Sequence, residues 1–525
     1  MRKSKSESRD GKFDTIVVLD FGGQYCHLIA RRVREQGVYS EIVPCDITAD
    51  ALQRMSEKLN IKGMILSGGP SSVYARDAPK LDPEIMKLGI PILGLCYGHQ
   101  LIAYLSGGKV EKGSEREYGS AFVTIDKPTG ILENLSRKEK VWMSHYDPVY
   151  NLPRDFEALA HTENCPVAAF RHKKKPVYGL QWHPEVVHTE HGTIMLRNFI
   201  FRICRCQANW KPSSLIERAI DEMKKKVRDE NAIIALSGGI DSSTATILAS
   251  RAIGKQLMAV FVDHGFMREG EPEFVEKTFK QLGVNIIIID AKERFLRRLQ
   301  NVTDPEEKRR IIGEEFVRVF EENAEKTGSK YLIQGTIYPD RIESGIRKYS
   351  EKIKSHHNVA GIPTHVKFEA IIEPLRDLYK DEVREIAKSL GLPNEIIYRQ
   401  PFPGPGLAVR VIGELTSDRV KLLKHADRIV AEEIEKRQDL KDNLWQYFAI
   451  LTDTKSTGVK GDSRAYGYVL ALRVVESREA MTASFARVPY DILEKISTRI
   501  TNELPQITRV VYDITHKPPA TIEWE

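Results

Sequence analysis

Short apolar runs rich in Val and Ile alternate with amphipathic stretches along most of the chain. A run of four to eight apolar residues bounded by turn residues reads as a buried strand, and an apolar period near 3.6 reads as a helix. The first unit is a strand over residues 15–19, the turn Asp20-Phe21-Gly22-Gly23 and a helix over 28–36. Further strands are expected at 63–66, 90–95, 141–143 and 177–181. The pattern lapses over 204–214, then resumes with a helix at 215–227 and strands at 232–236, 257–262, 285–289 and 331–334. At 399–407 three prolines and two glycines interrupt both periods. Beyond them a helix is expected at 418–438 and strands at 466–474 and 508–513. Strands alternating with helices predict parallel sheets, so the expected fold class is α/β. It divides into a tail (1–12), two parallel-sheet α/β domains (13–207 and 208–399) and a smaller α+β domain (400–525).

Composition narrows the function classes. A length of 525 residues with 41% hydrophobic and 29% charged residues suits a globular chain of several full-sized cores. No apolar run approaches the roughly 20 residues that span a bilayer. The N-terminus, MRKSKSESRDGK, lacks the apolar stretch of a signal peptide. A short disordered tail and a cytoplasmic location are expected, with no membrane partner. Six cysteines do not make a disulfide framework, and Cys204 and Cys206 lack a second pair at zinc-ligand spacing. The net charge of +6 is spread over 79 basic and 73 acidic residues. A nucleic-acid binder concentrates its charge on one stripe, so no nucleic-acid partner is expected. Phosphorylated small molecules account for the mild positive bias.

Cys96 stands in GLCYGHQ, between an expected strand and an expected helix from Gly98 to Leu105. A sharp turn between small glycines pushes such a side chain out of the sheet. The helix N-terminus favours its thiolate. A nucleophile needs a base and the base needs orienting, and GLQWHPE supplies His183 and Glu185. Residues two apart in extended chain face the same side, so both can enter one pocket. SGGP, residues 67–70, offers backbone amides for an oxyanion, with the Tyr97 amide as partner. Together these strings resemble the class I glutamine amidotransferases over about 190 residues. The resemblance implies that Cys96 attacks the glutamine amide, His183 shuttles the proton and Glu185 holds the imidazole. It further implies an oxyanion hole from the Gly69 and Tyr97 amides, and glutamine recognition by Gln100, Ser144, His145 and Asp147.

The second chemical string is SGGIDSS: Ser237, Gly238, Gly239, Ile240, Asp241, Ser242 and Ser243. It follows an expected strand and opens a helix, where backbone amides and hydroxyls can cradle phosphate. It lacks the GxxxxGK[ST] pattern of the common ATPase loop. It resembles the pyrophosphate loop of the N-type ATP pyrophosphatases, with Val262-Asp263-His264 one β-α unit later. The resemblance implies adenylylation, with Mg²⁺ accompanying ATP, Asp241 as a metal ligand or positioning group, and Val262 and Lys354 beside the nucleotide. Asp340 and Glu343, in GTIYPDRIES, are either Mg²⁺-linked or structural.

The chemistry alone reaches ammonia delivered to an adenylylated acceptor. PFPGPGL, GVKGDSR and the ending KPPATIEWE resemble the C-terminal region of the GMP synthetase family, and that likeness extends over essentially everything after residue 12. It implies glutamine, XMP and ATP as substrates and a homodimer through the C-terminal domain. XMP contacts are then expected at Arg309, Asp462, Lys517, Ile522 and Glu523. Arg309 is expected on a mobile loop, although PEEKRR also reads as an ordinary charged helix start, and domain rotation or loop closure over 301–365 is expected to accompany ammonia transfer. NAD synthetases are a less suitable reading, because they take ammonia from a nitrilase-like domain and lack this ending.

Overall fold

The computed structural model describes residues 12–113, 116–345, 368–477 and 482–525. They form two compact units. One runs to Ser214 and takes in a short stretch from Arg341, and the other holds Leu215–Asp340 and the C-terminal part of the chain to Glu525.

The strands of the first unit are β1 (Asp14–Asp20), β2 (Tyr39–Pro44), β3 (Asn60–Leu66), β4 (Ile92–Leu95), β5 (Lys109–Val110), β6 (Glu117–Ile125), β7 (Lys138–His145), β8 (Val149–Asn151), β9 (Phe156–His161), β10 (Ala169–His172) and β11 (Val177–Leu180). Nine form one sheet in the order β2-β1-β3-β4-β11-β10-β9-β6-β7, while β5 pairs with β8. From β2 to β11 the sheet is parallel, as the sequence predicts. From β11 to β7 it is antiparallel, which the sequence reading did not foresee. The reason is burial. β1 and β4 are covered on both faces and read as unbroken apolar runs, whereas β6 and β7 alternate covered and exposed positions. Tyr118 and Phe122 on β6 lie largely in solvent.

The second unit carries β12 (Ala232–Ala235), β13 (Leu257–Asp263), β14 (Ile286–Asp290), β15 (Tyr331–Ile333) and β16 (Ala370–Ile372). They make a five-stranded sheet in the order β14-β13-β12-β15-β16, parallel throughout. The strand order reverses at β12, which opens a crevice at the carboxyl end of that strand. The same unit contains β17 (Gln446–Lys460), β18 (Ser463–Glu476), β19 (Ser484–Phe485) and β20 (Ile507–Tyr512). β17 and β18 form a long antiparallel hairpin, and β20 joins β18 in parallel. Residues 400–525, read from sequence as a separate domain, share this unit's core. Val260, Phe266 and Phe320 belong to one apolar cluster with Leu407, Leu423 and Leu470.

The expected mobile loop at Arg309 is corrected by the structure. Asp304 caps a 23-residue helix, Pro305–Thr327, by accepting a bond from the Glu307 amide, and Arg309 sits buried in its second turn. PEEKRR is thus the charged helix start that its pattern also allowed, and its acidic first turn favours the helix, since carboxylates stabilise the N-terminus. Lys354 lies outside the described residues.

Candidate active sites

Cys96 follows β4 directly and caps the helix Tyr97–Leu105 at its N-terminus. Its backbone is held at φ 52°, ψ −105°, a region that L residues enter only under constraint. Close packing supplies the constraint. A Cβ on Gly98 would overlap the Leu66 carbonyl of β3, so only glycine lets the helix begin this close to the sheet. The thiol is 5% exposed and approaches the Ser144 carbonyl at 3.5 Å.

β11 lies beside β4 in parallel, with Leu180 opposite Leu95. The residues that follow both strands therefore emerge at one edge of the sheet. His183 and Glu185 meet through a turn rather than by strand alternation, which corrects the expected geometry. His183 Nδ1 stands 2.7 Å from Glu185 Oε1, with both side chains almost fully buried. Burial alone would push the imidazole down. The Glu185 carboxylate and the Cys96 sulfur hydrogen-bonded beside it outweigh burial and hold His183 well above its ordinary value. A thiol beside an imidazole that a carboxylate orients is the arrangement of a nucleophile with its base. Gly68 lies against the pair: a Cβ there would stand 3.1 Å from His183 Cε1 and 3.6 Å from the Cys96 Cβ.

The oxyanion candidates Gly69 and Tyr97 flank this point. Gly69 belongs to the turn after β3, and Tyr97 opens the helix, where the first N–H groups have no partner within the helix. Of the residues expected to recognise glutamine, Gln100, His145 and Asp147 are buried. Gln100 Nε2 donates to the Asp147 carbonyl at 2.6 Å and to Gln181 Oε1 at 3.3 Å. The Asp147 carboxylate accepts from Ser72 and Tyr74. His145 Nε2 pairs with Glu117 at 2.8 Å. Burial works against a charge on Glu117, yet the His145 and Thr162 hydrogen bonds keep its carboxyl below the usual range. Ser144 offers its main-chain carbonyl to the thiol.

At the crevice of the second unit, β12 ends at Ala235 and the helix Ile240–Ile253 begins with Gly239 as its cap. Ser237 Oγ lies 2.9 Å from Ser242 Oγ and accepts from the Gly239 amide, which folds the loop back on itself. Gly238 takes φ +75°. Ile240 and Val262 point into the core, so either can meet a nucleotide only through its backbone. Ser243 is fully buried. Asp241 lies 3.7 Å from Lys380 Nζ, and its Oδ1 is buried without a hydrogen-bond partner among the described residues. Burial pushes this carboxyl up, against the pull of Lys380 and Arg384. Lys380, and Arg399 with its Nη1 3.4 Å from the Gly238 carbonyl, were missed from sequence. Both are brought to the loop from far along the chain, so no local string announces them.

The candidate XMP residues separate into two groups. Lys517 pairs its backbone with Ala483. Ile522 is buried. Glu523 receives both Nε and Nη2 of the fully buried Arg410, at 3.0 and 2.8 Å. The tail then reaches the helix Pro305–Thr327, where Arg309 donates to the Glu525 main-chain oxygen and Lys308 Nζ lies 2.6 Å from the Glu525 carboxylate. Asp462 stands elsewhere. It is exposed at the turn between β17 and β18, while Ala483 adjoins β19, which pairs with the far end of β18. At 3.3 Å per residue the strand separates the two by roughly 40 Å.

Three family models match the chain: glutamine amidotransferase class-I over residues 17–203, PP-loop domain over 212–394 and GMP synthase C terminal domain over 432–524. The curated relatives named GMP synthase [glutamine-hydrolyzing] align along almost the whole length. That of Caldicellulosiruptor saccharolyticus is 55% identical over 98% of this chain and 99% of its own. That of Caldanaerobacter subterraneus is 54% identical over 98% of this chain and 99% of its own. The chain belongs to the glutamine-hydrolysing GMP synthase family. In that family's terms, the thiol edge of the first unit is the amidotransferase half and the loop after β12 is the PP-loop half. Among the described residues no helix is long and apolar enough to cross a membrane.

Proposed function

We propose that this chain makes GMP from XMP, ATP and glutamine with the residues placed above in the following roles. Cys96 Sγ attacks the glutamine amide carbon, and the oxyanion that forms is met by the Gly69 and Tyr97 N–H groups. His183 gives its proton to the leaving nitrogen, so ammonia departs and a thioester remains. Water, deprotonated by His183, then releases glutamate. The observation that carries this reading is the meeting of Cys96 with the His183–Glu185 pair at the ends of neighbouring parallel strands.

At the second crevice the amides and hydroxyls of residues 237–243 hold the β- and γ-phosphates. The oxygen on carbon 2 of XMP attacks the α-phosphorus and pyrophosphate leaves. Ammonia then attacks carbon 2, and AMP departs with that oxygen. The unpartnered Asp241 Oδ1 suits a Mg²⁺ ion carried in by ATP, with phosphate oxygens as further ligands. Such an ion supplies neutralisation of charge on the leaving pyrophosphate. Arg309 and Lys517 supply positive charge for the XMP phosphate.

A homodimer through the C-terminal region completes the reading. Tyr490, Ile514, Val459 and Tyr466 all lie largely in solvent. A groove of about 360 Å³ beside Tyr490 is lined by Leu472, Leu493 and Val511. Asp462 can serve an XMP site near Lys517 only from a second copy, because its own strand holds it far away. Six free, buried thiols suit the reducing cytoplasm. XMP carrying ¹⁸O on carbon 2 tests the adenylyl step: the label is expected in AMP, and recovery of unlabelled AMP would contradict it.

A further inference from the structure

The triad is braced by a neighbouring loop and helix that the amidotransferase strings do not include. After β1 the chain turns through Asp20, whose Oδ1 accepts the Gly22 amide at 2.8 Å. The Phe21 amide donates to Ser67 Oγ at 3.0 Å, which ties this turn to the segment that carries Gly68 and Gly69. The helix Cys26–Glu35 follows, with Tyr25 at its N-cap. The Tyr25 ring stands edge-on to the His183 imidazole, with centroids 4.9 Å apart and planes at 71°. Seven residues further along, Arg32 Nε donates to the Glu185 main-chain carbonyl at 2.9 Å, and its Nη1 is held by Glu35 at 2.8 Å.

The need for this support is visible at Glu185. Its side chain is fully buried, and only Oε1 is engaged, by His183. Among the described residues Oε2 has no hydrogen-bond partner. A carboxylate fixed only by the imidazole it must orient cannot set that imidazole's position, so the position has to come from the main chain. The main chain at Glu185 is held by Arg32. The remaining freedom of His183 is rotation of its ring, and Tyr25 stands against that ring. We infer that Tyr25 and Arg32 are positioning residues for glutamine hydrolysis, the first fixing the plane of His183 and the second fixing Glu185 through its carbonyl. The inference rests on the assignment of His183 and Glu185 as base and orienter.

The consequence is a selective one. Loss of either brace misplaces the base relative to Cys96 and lowers glutaminase kcat by about ten- to a hundredfold, the scale of a small misplacement of a reacting group. Glutamine binding, which uses other residues, keeps its KM. Ammonia-driven GMP synthesis is untouched. Tyr25→Phe keeps the ring and keeps the rate, whereas Tyr25→Ala does not.

The test measures glutaminase kcat and KM, and ammonia-driven synthesis, for the full-length Tyr25→Ala, Tyr25→Phe, Arg32→Met and Cys96→Ala proteins. A fall in kcat at unchanged KM for Tyr25→Ala and Arg32→Met, with Tyr25→Phe near wild type, supports the assignment. Wild-type glutaminase kcat in Tyr25→Ala and Arg32→Met, while Cys96→Ala is inactive with glutamine, overturns the positioning role and leaves the triad standing. A parallel loss of ammonia-driven synthesis in those two variants also overturns it, since the damage is then general. Retained glutaminase activity in Cys96→Ala would remove the triad itself.

Discussion

His183 carries the clearest electrostatic signature in the first unit, and it follows from two neighbours acting against burial. Burial favours the neutral ring, whereas the Glu185 carboxylate and the Cys96 sulfur favour the charged one and prevail. The imidazolium therefore persists above the ordinary histidine range, and the activity that needs it as an acid falls only as pH rises through the raised value. Glu185→Gln removes one of the two supporting charges and lowers that value. The alkaline limb of the glutaminase pH profile is expected to move to lower pH, and kcat to fall by about 10²- to 10⁴-fold. An unmoved alkaline limb would show that Glu185 does not face the working imidazole. Cys96, His183 and Glu185 were legible in the sequence because each stands in a short string beside a strand end. Tyr25 and Arg32 were not, because their contacts with His183 and Glu185 cross about 150 residues and leave no local pattern.

The elements that hold both sites are carboxyl ends of parallel strands, and their turns depend on close approach. At the second crevice Gly335 follows β15, and a Cβ on it would stand 2.9 Å from the Asp241 carbonyl carbon and 2.9 Å from the Ser242 amide. Those atoms are backbone and cannot swing aside. Gly335→Ala is expected to displace the loop, raising KM for ATP in ammonia-driven synthesis by about tenfold, the effect of about 1.4 kcal/mol. Glutaminase activity without ATP should be unchanged. An unaltered KM would show that the loop does not hold the nucleotide in this conformation. Parallel strands such as β1, β4, β12 and β13 were legible as apolar runs. The antiparallel strand β6 was not, because one-sided burial breaks the run into an alternation that resembles surface loop.

In the whole molecule, separate chemistries share one chain, and the site residues divide accordingly. The C-terminal tail brings Glu523 and Glu525 to Arg410, Lys308 and Arg309 within one unit, whereas Asp462 stands at the far end of a long hairpin. If Asp462 serves a partner's site, chains carrying Asp462→Ala and chains carrying Lys517→Ala, each inactive alone, regain about a quarter of wild-type activity per chain when mixed and allowed to exchange. Half the chains then pair as heterodimers, and each heterodimer holds one intact site of two. Absence of any recovery after exchange would place Asp462 in its own chain's chemistry or outside the site. Cys96 serves the release of ammonia from glutamine and no later step. The most direct measurement compares GMP formation by wild type and Cys96→Ala with glutamine and with ammonium salt, in the presence of XMP, ATP and Mg²⁺. Cys96→Ala is expected to lose glutamine-driven synthesis and to keep ammonia-driven synthesis at the wild-type rate. Glutamine-driven synthesis that survives the substitution would contradict the account.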